Sequence, residues 1–306
     1  MIKFIFRRLL GMIPVLLIII TLVFFMIRLA PGGPFDRERT VSEDVLKNLN
    51  AYYHLDEPLY AQYFRYLGGL LKGDLGPSFK NAGYSVNELI LLGFPVSLEL
   101  GFYALLVALT LGLTAGVMAS LKPNTIRDYA PMSFAMLGIC VPNFVLGPLL
   151  VLVFGLWLRW LPVAWWEGPS YKILPALTLG ASYAAYIARL SRGGMLEILS
   201  QDFIRTARAK GVPESAVVLR HALRGGIQPV VSFLGPAAAG LLSGSFVVET
   251  IFQIPGLGRF FIQAAFNRDY TMIMGTVLFY AVLILLFNLI VDIAQAWLDP
   301  RLRSEY

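Results

Sequence analysis

Catalysis and ion coupling both need ionisable side chains held close together, and this sequence keeps its ionisable residues apart. Glu99, Glu249 and Asp292 are the acids that fall inside, or at the ends of, long apolar runs. Such residues are functional candidates by default, because charge is costly to bury in hydrocarbon. A proton relay needs several of them near one depth, and these three do not form such a set. The simpler reading places Glu99 and Glu249 at wet interfaces and pairs Asp292 with a neighbouring helix. The two histidines, His54 and His221, are distant in sequence and expected on opposite sides of a membrane, so they share no metal. No H-E-x-x-H, G-x-S-x-G or G-x-x-x-x-G-K-[ST] run occurs, so no catalytic, metal-binding or cofactor-binding residue is assigned and the chain is read as a non-enzyme. The single cysteine, Cys140, lies in an apolar run and reads as a small hydrophobe.

What remains is a cationic stretch, Asp202-Phe-Ile-Arg-Thr-Ala-Arg-Ala-Lys-Gly211-Val-Pro213, followed by His221-Ala-Leu-Arg224. Asp202 to Lys210 favours helix. Gly211 supplies a left-handed stop and Pro213 cannot continue the helix. Ser215 to Leu223 favours helix again, ending at Gly225-Gly226. A short, fairly apolar helix flanked by arginines, with nothing obvious to pack on, reads as a surface awaiting a partner.

The elements that must carry this stretch are membrane spans. The 306 residues are 57% hydrophobic and 14% charged, with mean hydropathy +0.69. A soluble domain carries about 25% charged residues, and roughly 20 apolar residues cross a bilayer as helix. Six spans are predicted, over 9–29, 95–121, 131–156, 173–191, 227–249 and 272–297. Helices are the form expected, since the backbone must satisfy itself in lipid. Pro14 is placed in the first turns of the first span. That run is too long for a signal-peptide core and reads as an uncleaved span.

Lys3, Arg7, Arg8, Lys122, Arg127, the cations from Arg189 to Arg224, Arg301 and Arg303 fall on one side. Only Arg159, Lys172, Arg259 and Arg268 occupy the short loops opposite. This bias puts both termini in the cytoplasm. The net charge of +6 is thereby explained without nucleic acid.

The long segment 30–94 is then extracytoplasmic. Ser42 with Val45, Leu46 and Leu49 suggests a capped amphipathic helix. Tyr60, Phe64, Leu67 and Leu71 suggest one face of a second helix, broken by Lys72-Gly-Asp-Leu-Gly-Pro77. The expected organisation is a cytoplasmic N-terminus and first helix over 1–29, an extracytoplasmic subdomain over 30–94, and a five-helix core over 95–297. That core carries the cytoplasmic loop 192–226, and a tail follows over 298–306.

The loop 202–213 resembles the coupling loop of ATP-binding-cassette importer permeases, and its wording is similar to that of the peptide branch. Arg205-Thr206-Ala207 stands where the general pattern has Glu-Ala-Ala, and Gly211 to Ile227 is longer than usual. The resemblance extends to Arg28-Leu-Ala-Pro-Gly-Gly-Pro-Phe35, Gln62-Tyr-Phe-Arg-Tyr-Leu67, Gly73-Asp-Leu-Gly-Pro-Ser78 and Glu249-Thr-Ile-Phe252. It continues in Ile254-Pro-Gly-Leu-Gly258, Asn267-Arg-Asp-Tyr270 and Leu298-Asp-Pro-Arg301. Within the family the oligopeptide branch fits better than the dipeptide, nickel or glutathione branches.

The resemblance implies an all-α permease of six transmembrane helices with the fold of type I importers, in a bacterial inner membrane. It implies a second homologous permease, two ATPase subunits that hold ATP and magnesium, an extracytoplasmic peptide-binding protein, and a peptide substrate among membrane lipid. No cofactor is implied for this chain. The coupling residues it implies are Asp202, Arg205, Thr206, Ala207, Arg208, Ala209, Lys210, Gly211, Val212 and Pro213. The arginines and Lys210 would orient the helix, and Ala207, Ala209 and Gly211 would give a close fit. A gradient-driven carrier would show an inverted repeat, and none is visible.

Overall fold

The computed structural model describes residues 2–35, 43–81, 83–242 and 246–298. Among these the secondary structure is helical, apart from one isolated bridge between Pro77 and Ser85. The helices are α1 (Ile2–Leu29), α2 (Glu43–Tyr52), α3 (Leu59–Leu71), α4 (Val86–Leu121), α5 (Ile126–Cys140), α6 (Asn143–Leu150), α7 (Pro169–Leu199), α8 (Asp202–Ala209), α9 (Glu214–Ala216), α10 (Leu223–Gly226), α11 (Gln228–Leu242), α12 (Phe246–Ile251), α13 (Leu257–Asn267) and α14 (Tyr270–Leu298). Wide π-helical turns follow α6 over Val151–Trp157 and α9 over Val217–Ala222.

Among the described residues, four helices are long and apolar enough to cross a membrane: α1, α4, α7 and α14. The expected third span is not straight. α5 and the α6 segment through Trp157 are bent by 112°. The cause is local: Pro142 has no N–H, and the residue before a proline is pushed out of the helical region. Val141 accordingly sits at φ −94°, ψ 115°. The expected fifth span corresponds to α11, and its residues 243–245 lie outside those described. Ser42, proposed as a helix cap, and the tail from 299 also lie outside them.

Pro14 sits in the interior of α1, because the helix begins at Ile2 rather than after Arg8. The missing N–H therefore costs a bond within the ladder, a defect that membrane helices tolerate.

The chain forms two compact units. The first comprises 1–96 and 255–285. One of its cores gathers Val86, Leu89, Ile90, Leu257, Ala264 and Met272. A second gathers Phe35, Phe79 and Tyr270, with Leu46, Leu49, Tyr53 and Leu55 packed on it. Asp269, 1% exposed, ties this second core together. Its carboxylate accepts from the Ser78 hydroxyl, from the Phe79 and Lys80 amides, and from the Met272 amide in the first turn of α14. The motifs around Ser78 and Asp269 thus meet at one buried anion. α3 forms where expected; Tyr60, Phe64 and Leu71 of its apolar face are exposed, and Gln62 is buried. Gln62 faces inward because it bonds Arg28 and the Leu55 and Glu57 carbonyls.

The second unit comprises 97–254 and 286–306. Its axis is α7, which buries thirteen residues including Leu174, Ile187, Ala188, Ser191 and Met195. Close approach depends on glycine. A Cβ on Gly112 of α4 would lie 2.7 Å from the Ala184 carbonyl oxygen and from Ile187 Cβ. Small residues at such crossings supply the packing that holds membrane helices together. Asp128 at the start of α5 grips Arg192 of α7 through two hydrogen bonds, of 2.6 and 2.7 Å.

Glu249 departs from the expected wet interface: it is fully buried and accepts a 2.8 Å bond from Ser97. Glu99 is partly exposed; it pairs with Lys172 and accepts from Trp166 Nε1 at 2.9 Å. Asp292 is half-buried.

Candidate functional site

The cationic loop is built on the end of α7. Ser200 and Gln201 break the helix, and α8 begins at Asp202, an acid in a first turn, where the helix dipole favours negative charge. Two side chains one turn apart, Ile204 and Ala207, are buried, at 0% and 8% exposure. They pack into a core with Met195 of α7 and Val217, Val218 and Ala222 beyond the turn, and Val117, Ile198 and Leu199 complete it. This short helix is therefore held by its own chain on one face.

The stop after α8 is a full Schellman closure. The Val212 amide donates to the Ala207 carbonyl at 3.2 Å, and the Gly211 amide donates to the Arg208 carbonyl at 3.0 Å. Gly211 has φ +77°, the left-handed conformation that the geometry demands. A Cβ there would meet nothing within 4 Å, so glycine is favoured by backbone conformation rather than by space. Val212 then folds back onto the core beside Ala207. Pro213 opens α9, as a residue that needs no helical N–H donor at that point.

Charge locks the turn. Arg208 forks onto Glu214, with bonds of 2.6 and 3.1 Å from Nη2 and Nε. Those bonds hold the Glu214 carboxyl below the usual carboxylate range and raise the Arg208 guanidinium further. Arg205 contacts Asp202 at 3.3 Å, with both side chains largely exposed. Thr206 donates its hydroxyl back to the Asp202 carbonyl at 3.0 Å. Ala209 and Lys210 are exposed.

The expected coupling residues therefore divide. Ala207 and Val212 face the chain's own core, and Ala207 anchors the helix there. Arg208 is already engaged across the turn. Arg205, Thr206, Ala209 and Lys210 remain on the outer surface. Two residues of the loop absent from the expected set are also exposed: Phe203, at 51%, and Leu219, at 66%. Phe203 was legible in principle, since it adjoins Ile204 and neighbours on a helix point about 100° apart. One of the two had to face out.

Comparison with known proteins agrees with this architecture. Residues 108–304 match the family described as the binding-protein-dependent transport system inner membrane component, and residues 1–100 match its N-terminal family. The chain is 50% identical to the oligopeptide transport system permease protein OppB of Haemophilus influenzae over 99% of this chain and 100% of that protein. It is 50% identical to OppB of Escherichia coli K12 over the same shares. It is 45% identical to the dipeptide transport system permease protein DppB of Bacillus subtilis, over 99% of this chain and 98% of that one. Among solved structures, the inward-facing MetNI methionine ABC transporter matches with TM-score 0.56 and 18% identity, covering 71% of this chain and 95% of that one.

Proposed function

The chain belongs to the binding-protein-dependent inner membrane transport components, and on that premise we propose that it is a pore-forming permease of an ATP-binding-cassette importer that moves oligopeptides. The observation that carries the substrate class is identity over the whole chain, 50% to oligopeptide permeases against 45% to a dipeptide permease. ATP and magnesium belong to two partner ATPase subunits, since no P-loop occurs in this sequence. A second homologous permease completes the pathway, and an extracytoplasmic binding protein delivers the peptide. Both termini face the cytoplasm, on the cationic side of the membrane.

The geometry supports a lever. Phe203, Thr206, Ala209 and Lys210 present the outer face of α8 to an ATPase subunit. Ile204 and Ala207 fix the inner face to α7. The Asp128–Arg192 pair and the glycine contact at Gly112 join α7 to α5 and α4. A displacement of α8 driven by nucleotide would then move these helices together, which is how a small shift at one site becomes a change between two packed states.

The test is peptide-stimulated ATP hydrolysis by the assembled transporter carrying F203D and A209D. These changes touch only exposed positions. Stimulation should fall roughly ten-fold or more, the scale expected when an interface anchor is lost, with membrane insertion unchanged. Unchanged stimulation would reject the docking role.

A further inference from the structure

The loop that joins the π-helical turn Val151–Trp157 to α7 folds into a groove that the transport reading does not use. Its backbone is tied down. The Trp160 amide donates to the Phe154 carbonyl at 2.9 Å, and the Trp165 amide donates to the Phe252 carbonyl at 2.9 Å. Gly155 admits the returning chain, since a Cβ there would lie 2.4 Å from Val163 Cγ1. The groove between turn and loop is open and measures about 640 Å3. Leu156, Pro162, Val163, Trp165 and Tyr171 wall it, and Arg159 is the cation among its lining residues.

The Arg159 side chain is exposed and makes no hydrogen bond or ion pair with any described residue. Its backbone is held at φ +54°, an uncommon conformation for a residue that carries a Cβ. Backbone strain of this kind gathers at binding sites. A guanidinium offers five N–H groups in a planar fork that matches the oxygens of a phosphate or a carboxylate. The groove therefore combines apolar walls with a cation that is not engaged.

Depth in the membrane selects the anion. α7 is long and apolar enough to cross, and its exposed Arg189 marks one edge of the hydrocarbon. About 20 helical residues span that layer, so the other edge lies near Pro169, where α7 begins. The loop sits at this edge, at the end of α7 away from α8. Trp157, Trp160 and Trp165 are 73%, 69% and 60% exposed there, beside exposed Leu156 and Leu158. Tryptophan gathers at that depth, between headgroups and acyl chains. We propose that the groove binds a phospholipid of the leaflet opposite α8, with phosphate oxygens accepting from Arg159 and an acyl chain against Leu156, Val163 and Trp165. A peptide carboxylate offers the same oxygens, but a water-filled peptide path would leave the tryptophans uncovered.

Two measurements on the intact transporter test this. Native mass spectrometry of the delipidated complex follows a titration with dioleoyl phosphatidylglycerol, with a soluble tripeptide as competitor. Dioleoylglycerol supplies the same chains without phosphate. R159Q should weaken phosphatidylglycerol binding at one site roughly ten-fold, the worth of a hydrogen bond between charged groups, and R159K should recover most of it. Both variants keep a Cβ at the left-handed position, so the backbone cost is unchanged. Dioleoylglycerol should bind R159Q and the unaltered complex equally, and the tripeptide should not compete. In vesicles of the same lipid, a nitroxide placed by W157C in an otherwise cysteine-free complex should collide more with oxygen than with a water-soluble nickel chelate. W160C, at a similarly exposed position, serves if W157C does not assemble. Equal phosphatidylglycerol affinity in R159Q, displacement by the tripeptide, or a nitroxide reached mainly by nickel would overturn the proposal.

Discussion

Phe203 and Ile204 are adjacent in sequence and differ sharply in exposure: Ile204 is fully buried against α7, while Phe203 is 51% exposed on the outer side of α8. The pair separates holding the helix in place from using it. I204A should loosen α8 by about 3 kcal/mol, the scale of a buried aliphatic truncation. F203A should leave local stability within about 0.5 kcal/mol. Hydrogen exchange of the α8 amides distinguishes the two variants.

G211A should weaken the closure of α8 by about 1 kcal/mol, because alanine resists the left-handed conformation. The space around Gly211 is open, so no clash adds to this cost. Protection of the Val212 amide, which donates to Ala207, should fall about five-fold, and G211N should be milder because asparagine tolerates this region.

Trp165 stands at φ +83° with its amide donating to the Phe252 carbonyl at 2.9 Å. For a bulky residue that conformation is strained. W165G should therefore be more stable than W165A by about 1 kcal/mol, the reverse of the ordinary order of glycine and alanine. Both variants lose the ring, so thermal melting of the two compares the backbone alone.

The Arg208–Glu214 fork should respond to acid. Bonds from Arg208 lower the Glu214 carboxyl below 4.5. Its contribution is present above the unfolded value and is lost as pH falls through the lowered one. The pair is exposed, so the effect is small, at most about 1 kcal/mol. A nitroxide placed by S215C, in a C140S background, should become more mobile below the ordinary glutamate range. In E214Q it should be mobile at every pH.

Much of the fold was legible, and the reasons for the rest are physical. α1, α4, α7 and α14 announce themselves as apolar runs of span length, and Gly211 announces the end of α8. The bend at Val141-Pro142 was hidden because composition on either side is equally apolar. The spacing of the aromatics on α3 showed a helix face but not which way it points. Beside a membrane an exposed apolar side chain has no water to avoid, so Tyr60 and Phe64 can face out while Gln62 turns inward to bond Arg28. The burial of Glu249 against Ser97 and the gathering of Ser78 by Asp269 join residues remote in sequence, which no local pattern encodes. In the coupling loop the residue types were readable, but which of them face inward depended on the Schellman turn that draws Val212 onto Ala207.

The most direct measurement is a cysteine cross-link. With C140S removing the one native cysteine, A209C in the assembled transporter would be paired with single cysteines on the surface of the ATPase subunits. A disulfide should form whose yield changes between the nucleotide-free and ATP-bound states, with A207C giving none because that position is buried against α7. A link from A207C, or none from A209C in any nucleotide state, would contradict it.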